Sequence, residues 1–235
     1  MKNIIMASTS TVYGSGPLAY LFEELEDFFK ETRSILFIPY ARPGGISHDQ
    51  YTAHISNTFN KIGKTVTGIE KFNNPIAAIE QTDAIYVGGG NTFLLVNQLY
   101  KLDLLNPIVT AINAGTKYLG TSAGSNICGL TMNTTNDMPI VHPPSFKTFG
   151  FVPFNINPHY LDPDPNSKHK GETRETRIKE FHQFNSPPVI GLREGSWIKV
   201  EGSKILLKGE LKARVFEYGK TPYEIDSGGD ISALK

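Results

Sequence analysis

Gly120-Thr121-Ser122-Ala123-Gly124 is the stretch on which the reading of this chain turns. It matches the G-x-S-x-G pattern and follows a strand-like run, Lys117-Tyr118-Leu119, with helix-compatible residues after it. A strand that turns sharply into a helix crowds its own backbone, so the positions flanking the turn must be small. The central hydroxyl is then lifted clear of the packed sheet. The N–H that follows it, on Ala123, and the positive end of the new helix can stabilise an oxyanion. The pattern points to a nucleophilic Ser122. A plain loop of small residues at a strand end would fit the same letters, so the neighbouring segments have to decide.

Upstream of the elbow, strand-like and helix-like segments alternate. Ile4-Ile5-Met6 reads as a short buried strand, and Leu18, Leu21, Phe22, Leu25 and Phe29 recur at helical spacing after Pro17. Residues 34–39 form a second strand that enters a loop at Pro43-Gly44-Gly45; a helix over 50–62, a strand over 65–69 and a short helix over 75–80 follow. Ala84-Ile85-Tyr86-Val87 is a strand that stops at Gly88-Gly89-Gly90, with Asn91 or Thr92 placed to cap the next helix. Continuous apolar strands alternating with helices predict an α/β fold, a three-layer α/β/α arrangement around a mostly parallel sheet. Downstream, proline and asparagine accumulate between Met138 and Pro165, and a helix is expected over 172–184. Short β-like pieces at 189–190, 197–200, 205–207 and 214–216, separated by glycine-containing turns, predict antiparallel β-hairpins appended at the C-terminal end. With no repeat and no low-complexity linker, residues 1–235 read as a single domain.

Composition removes several classes. The chain has 235 residues, with 23 basic and 23 acidic side chains and no long like-charge run, so a general nucleic-acid binder is not expected. No apolar run is long enough to span a bilayer, and Met1 to Met6 is too short for a signal peptide. The lone Cys128 leaves no internal disulfide and fits a reducing compartment, so a soluble cytoplasmic protein is expected. Cys128 itself, six residues past Ser122, should pack as a small apolar group. Neither H-E-x-x-H nor clustered Cys and His spacing suggests a metal site. A dinucleotide fingerprint starting at Gly88 would need glycine where Phe93 stands, and a phosphate loop ending at Gly63-Lys64-Thr65 would need glycine at Thr58. No cofactor is expected.

Ser122 needs a base and a group that orients it. Of the histidines at 48, 54, 142, 159, 169 and 182, His159 stands out because Ile156-Asn157-Pro158 reads as a strand that ends abruptly just before it. Such a residue lies at the C-terminal edge of a sheet, where ligands bind; His182, on the last helix, reads as solvated. Two acids compete to orient the imidazole. Asp137 lies between Ser122 and His159, giving the chain order of α/β-hydrolases, although Asn-Asp before Pro139 is also ordinary turn chemistry. Glu194 follows the buried-looking Val189-Ile190 and could instead pair with Arg193. The Gly88-Gly89-Gly90-Asn91 turn, after a strand and before a helix, can aim backbone N–H groups at an anion. Arg174 and Arg177, one helical turn apart, read first as a solvated face laced with Glu172, Glu175 and Glu180.

Taken together, the segments 87–93, 120–126, 134–141, 156–159, 171–175 and 191–195 resemble, in order, the peptidase E family of aspartyl dipeptidases, with similarity from the first strand to about Phe216. The resemblance implies a fold similar to class I glutamine amidotransferases and hydrolysis of small peptides with an N-terminal aspartate, Asp-Xaa, without metal or cofactor. It implies Ser122 as nucleophile and His159 as general base, and it leaves Asp137 and Glu194 both open as the third member. Gly89, Gly90 and Ala123 fall in the segments associated with the oxyanion hole; Arg174, with Asn91 beside the glycines, falls against the substrate, Arg174 on its side-chain carboxylate. A monomer or homodimer is expected. Thr121 replaces a tryptophan found in some members, and residues 161–169 diverge, so pocket walls and substrate access differ. Exopeptidases of cyanophycin-like or isoaspartyl substrates share a similar elbow, and a non-catalytic carboxylate-binding module is the alternative outside enzymes.

Overall fold

A computed structural model describes residues 1–168 and 170–235; His169 lies outside the described residues. The main sheet has seven strands in the order β3-β2-β4-β5-β1-β8-β9. These are β1 (Asn3–Ala7), β2 (Ser34–Ile38), β3 (Thr65–Gly68), β4 (Ala84–Val87), β5 (Lys117–Thr121), β8 (Ser196–Glu201) and β9 (Lys204–Gly209). The first five are mutually parallel, and β8 and β9 extend the edge as an antiparallel pair.

Alternation along the strands divides the core in two. Ile5, Ala7, Ile35, Phe37, Tyr86 and Leu119 meet α1 (Phe22–Phe28) and α2 (His48–Phe59) through Leu25, Tyr51, Ile55 and Phe59. Their neighbours Ile4, Met6, Leu36, Ile38, Ile85, Val87 and Tyr118 face the opposite way. There they pack with α3 (Pro75–Gln81), α4 (Thr92–Lys101), α5 (Leu105–Ala114) and α6 (Ala123–Asn126). Both faces of the parallel sheet are thus sealed, which is what makes uninterrupted apolar strands stable. The expected α/β architecture with helices on both sides is the one observed. No helix among the described residues is long and apolar enough to cross a membrane.

Several sequence expectations need correction. Val189-Ile190 does not begin a hairpin on the main sheet. It lies in β7 (Val189–Leu192), within a separate four-stranded sheet ordered β11-β10-β7-β6, with β6 (Asn155–Pro158), β10 (Ala213–Phe216) and β11 (Tyr223–Ile225). β6 and β7 run parallel, with Pro158 opposite Leu192. The last helix, α7 (Arg174–Phe181), is shorter than expected at both ends and packs Ile178 against Tyr160, Val189 and Phe216. His182, just past α7, is not solvated: it is 8% exposed, with Nε2 at 3.0 Å from the Pro187 carbonyl. The helix expected from Leu18 starts later, because Leu18 is left-handed (φ 56°) and a 3-10 turn over Ala19–Leu21 precedes α1. α5 was not among the expected elements, although Leu105, Ile108, Val109 and Ile112 recur at helical spacing; its N-cap, Leu104, has no side chain able to cap it.

The elbow's glycines are set by contact. A Cβ on Gly124 would lie 2.2 Å from the Val87 carbonyl oxygen, and one on Gly120 2.5 Å from that of Gly124. Strand-to-helix packing this close excludes every side chain. Gly124→Ala should therefore cost about 2 kcal/mol by overpacking and lower Tm by roughly 4–8 °C in thermal unfolding. Gly44→Ala, where a Cβ meets nothing within 4 Å, should leave Tm unchanged; equal effects at the two positions would contradict the contact argument.

Candidate active site

The parallel register assembles the site. Ala7 lies opposite Thr121 and Val87 opposite Gly120, so Ser8, Gly88 and Ser122 all emerge at one sheet edge. The parallel pairing of β6 and β7 likewise sends His159 and the Arg193-Glu194 pair out side by side. These are the C-terminal ends of parallel strands, where α/β folds hold ligands.

Ser122 adopts φ 54° and ψ −112°, a conformation disfavoured for any residue with a side chain. Its N–H donates to the Ala7 carbonyl at 3.1 Å. Its carbonyl accepts the N–H groups of Ser125 and Asn126, both at 2.9 Å, which starts α6. Ser125 Oγ also donates to the Ala7 carbonyl, at 2.7 Å. Ser122 Oγ stands 2.8 Å from His159 Nε2, and His159 Nδ1 stands 2.6 Å from Glu194 Oε1. With Nδ1 protonated and donating to Glu194, Nε2 is left as the acceptor for the serine hydroxyl.

The two acids left open by the sequence have different partners. Glu194 meets the imidazole, whereas Arg193 turns away to Asp162 at 2.7 Å and Glu224 at 2.8 Å. Arg193's hydrogen bond holds the Asp162 carboxyl below its ordinary value. Asp137 does not reach His159. Its Oδ2 accepts the Thr92 N–H at 2.7 Å and the Thr92 hydroxyl at 2.6 Å, with the Thr135 hydroxyl at 3.1 Å. The carboxylate next to the His159 ring is therefore that of Glu194, and Asp137 sits at the start of α4.

Gly89 and Gly90 lie where the sequence placed them. A Cβ on Gly89 would come within 3.0 Å of Ser122 Cβ and 3.5 Å of Oγ, so the bare backbone abuts the serine. Among the described residues, the N–H groups of Gly89, Gly90 and Ala123 have no hydrogen-bond partner, which leaves them available to an oxyanion. Asn91 is already engaged: its Oδ1 caps α4 by accepting the Leu94 N–H at 3.0 Å, and its Nδ2 donates to the Met138 carbonyl at 2.9 Å. Each end of this amide thus makes one bond within the fold. Arg174, at the first turn of α7, lines a cleft of about 390 Å³ with Leu161, Asp162, Gly171 and Thr173. Burial, with Arg177 adding to it and Asp137 opposing it, draws its guanidinium below the ordinary arginine value. Among the described residues Arg174 forms no ion pair, while Arg177 lies 3.9 Å from Glu172, and Glu175 bonds Lys179 and Arg214. Also among these residues, no group of three or more His, Cys, Asp and Glu side chains is placed to hold a metal ion. Cys128 is fully buried, and that burial raises its thiol pKa.

Ser8 is the residue that sequence reasoning missed. It is fully buried, donates from Oγ to the Leu192 carbonyl at 2.7 Å and accepts the His159 N–H at 2.8 Å. His159 has φ 54°, so this bond holds a second strained backbone. The signal was the hydroxyl-rich Ser8-Thr9-Ser10 directly after a buried parallel strand. Around it, Asn126 donates to the Ile156 carbonyl and Asn136 to that of Pro158, clamping β6 to the elbow helix and to the segment that carries Asp137.

Residues 4–208 match the family model described as Peptidase family S51. The chain is 46% identical over 232 residues to peptidase E of Streptomyces coelicolor, covering 99% of this chain and 94% of that one. It is 41% identical to a probable alpha-aspartyl dipeptidase of Drosophila melanogaster, covering 99% and 97%. Among solved structures, a peptidase from an acI-B1 actinobacterium superposes with TM-score 0.72 at 17% identity, covering 98% of this chain and 96% of that one. A putative peptidase E from Listeria monocytogenes gives 0.67 at 21%, covering 89% and 98%. At these identities the solved structures bear on the fold alone.

Ser8→Ala would leave the buried His159 N–H without its acceptor, at a cost of about 1–3 kcal/mol. We expect it to slow phosphonylation of Ser122 by a small serine-directed reagent about tenfold or more. A rate equal to wild type would show that Ser8 does not hold the imidazole in place.

Proposed function

The chain belongs to peptidase family S51, and on that footing we propose that it is a serine dipeptidase releasing the N-terminal aspartate from Asp-Xaa dipeptides. The observation that carries the reading is the unbroken hydrogen-bonded line from Ser122 Oγ through the His159 ring to Glu194.

In this mechanism His159 Nε2 takes the Ser122 hydroxyl proton as Oγ attacks the scissile carbonyl. The carbonyl oxygen, now negative, is received by the free N–H groups of Ala123 and the Gly89-Gly90 segment. Collapse passes the proton from Nε2 to the leaving amine and leaves an aspartyl ester on Ser122. Water, deprotonated by the same nitrogen, then hydrolyses the ester and frees aspartate. Glu194 keeps the proton on Nδ1 and stabilises the imidazolium formed twice in the cycle. The guanidinium of Arg174, half-buried and without an ion pair among the described residues, is suited to fork onto the aspartyl β-carboxylate. No step calls for a metal or an organic cofactor. The chain acts as one domain, as a monomer or homodimer and in the cytoplasm, where its single buried thiol suits a reducing milieu.

Ser122→Ala should abolish hydrolysis of Asp-Leu, and Glu194→Gln should lower kcat by about 100-fold or more with the fold retained. Arg174→Gln should lower kcat/KM for Asp-Leu about tenfold or more and narrow the preference over a neutral N-terminal residue. A dipeptide panel varying the first residue, run with and without chelator, decides the broader reading. Cleavage of cyanophycin-like or isoaspartyl substrates but not Asp-Xaa would reassign the substrate. Full activity in Ser122→Ala would end the serine mechanism.

A further inference from the structure

One charged side chain at this site has no part in the mechanism above. Asp137 directs a single carboxylate oxygen into the fold: Oδ2 takes the Thr92 N–H, the Thr92 hydroxyl and the Thr135 hydroxyl. Among the described residues its Oδ1 has no partner. Its two chain neighbourhoods place it within the site. Thr92 follows the Gly89-Gly90-Asn91 turn that abuts Ser122, and Asn136, the preceding residue, donates to the carbonyl of Pro158 beside His159. Asp137 is thus held between the glycine turn and the strand end that carries the imidazole. Its charge also acts on Arg174, yet the two form no ion pair. An anion and a cation that are not paired with each other can each take one charge of a molecule carrying the opposite pair.

An N-terminal aspartyl residue is such a molecule, with a carboxylate on its Cβ and an ammonium on the adjacent Cα. Resting on the dipeptidase reading, we propose that Asp137 is a specificity residue whose Oδ1 binds the free α-ammonium of the substrate, opposite Arg174 on the β-carboxylate. The three donors on Oδ2 fix the rotamer, so Oδ1 is presented without a further loss of side-chain freedom on binding. A charge-assisted bond of this kind restricts cleavage to the first peptide bond of a chain, since an acylated nitrogen offers no positive charge. It also accounts for an aspartate in this position that makes no contact with His159.

The test compares Asp-Leu with succinyl-leucine, which is the same molecule with the α-amino group replaced by hydrogen. Asp137→Asn keeps the shape and an oxygen acceptor for Thr92 while removing the charge. Wild type should favour Asp-Leu over succinyl-leucine in kcat/KM by about 30- to 100-fold. In Asp137→Asn the value for Asp-Leu should fall by a similar factor, chiefly through KM, so that the preference disappears. Inhibition by free succinate, which lacks the ammonium, should have the same inhibition constant in both proteins. Equal losses on both substrates, or weaker inhibition by succinate in the variant, would overturn the proposal and leave Asp137 as a cap for α4. If wild type cleaves neither compound, the dipeptidase reading fails first, and this inference with it.

Discussion

Ser122 and His159 both carry side chains at positive φ, and both are held by the end of β1. The Ala7 carbonyl receives the Ser122 N–H and the Ser125 hydroxyl; the next residue, Ser8, receives the His159 N–H and reaches the carbonyl of Leu192. Backbone in sparsely populated regions costs on the order of 1–3 kcal/mol per residue and persists only where its surroundings over-determine it. Here one strand end supplies the restraint to both residues. A second tie runs from the elbow helix, where Asn126 donates to the Ile156 carbonyl of the strand that carries His159. Placing two strained residues on one anchor helps to set the distance between Oγ and Nε2, 2.8 Å, the quantity on which proton transfer in the proposed mechanism depends.

Topology explains why the anchor can be shared. β1 is flanked by β5, which delivers the serine, and the small second sheet brings β6 and β7 to the same edge. The parallel register of β6 with β7 makes His159 and Glu194 neighbours without any direct sequence signal, since they are 35 residues apart. The glycines complete the assembly by removal of bulk. Gly89 lets backbone stand against Ser122, and Gly124 lets the short α6 lie on the end of β4. Backbone N–H groups unpartnered among the described residues, the Ser122-His159-Glu194 line and the Arg174 guanidinium on α7 thus come from separate elements of the fold.

Much of this was legible in the sequence because it is local. The elbow, the strand halted by Gly88-Gly89-Gly90, the Asn91 cap and the strand ending at Pro158 each announce themselves within a few residues. What stayed hidden is set by contacts across long separations. Ser8 bonds residues 151 and 184 positions away, and the hydroxyl-rich Ser8-Thr9-Ser10 marks a strand end without naming those partners. The choice between Asp137 and Glu194 depended on a register that pairs β6 with β7, which short apolar runs do not specify. α5 starts after Leu104 without a capping side chain, so only its periodicity marks it, and the burial of His182 rests on the carbonyl of Pro187, a loop residue. Arg174 shows the opposite case: helical spacing suggested a solvated pair with Arg177, and the structure leaves it half-buried with no ion partner among the described residues.

In the proposed mechanism Glu194, and not Asp137, holds the proton on His159 Nδ1. The most direct measurement is the proton NMR spectrum at low field, where a hydrogen on a 2.6 Å bond between imidazole and carboxylate resonates apart from other exchangeable protons. Wild type should show such a signal, Glu194→Gln should lose it and Asp137→Asn should keep it. A signal that persists without the Glu194 carboxylate, or vanishes without that of Asp137, would contradict that mechanism.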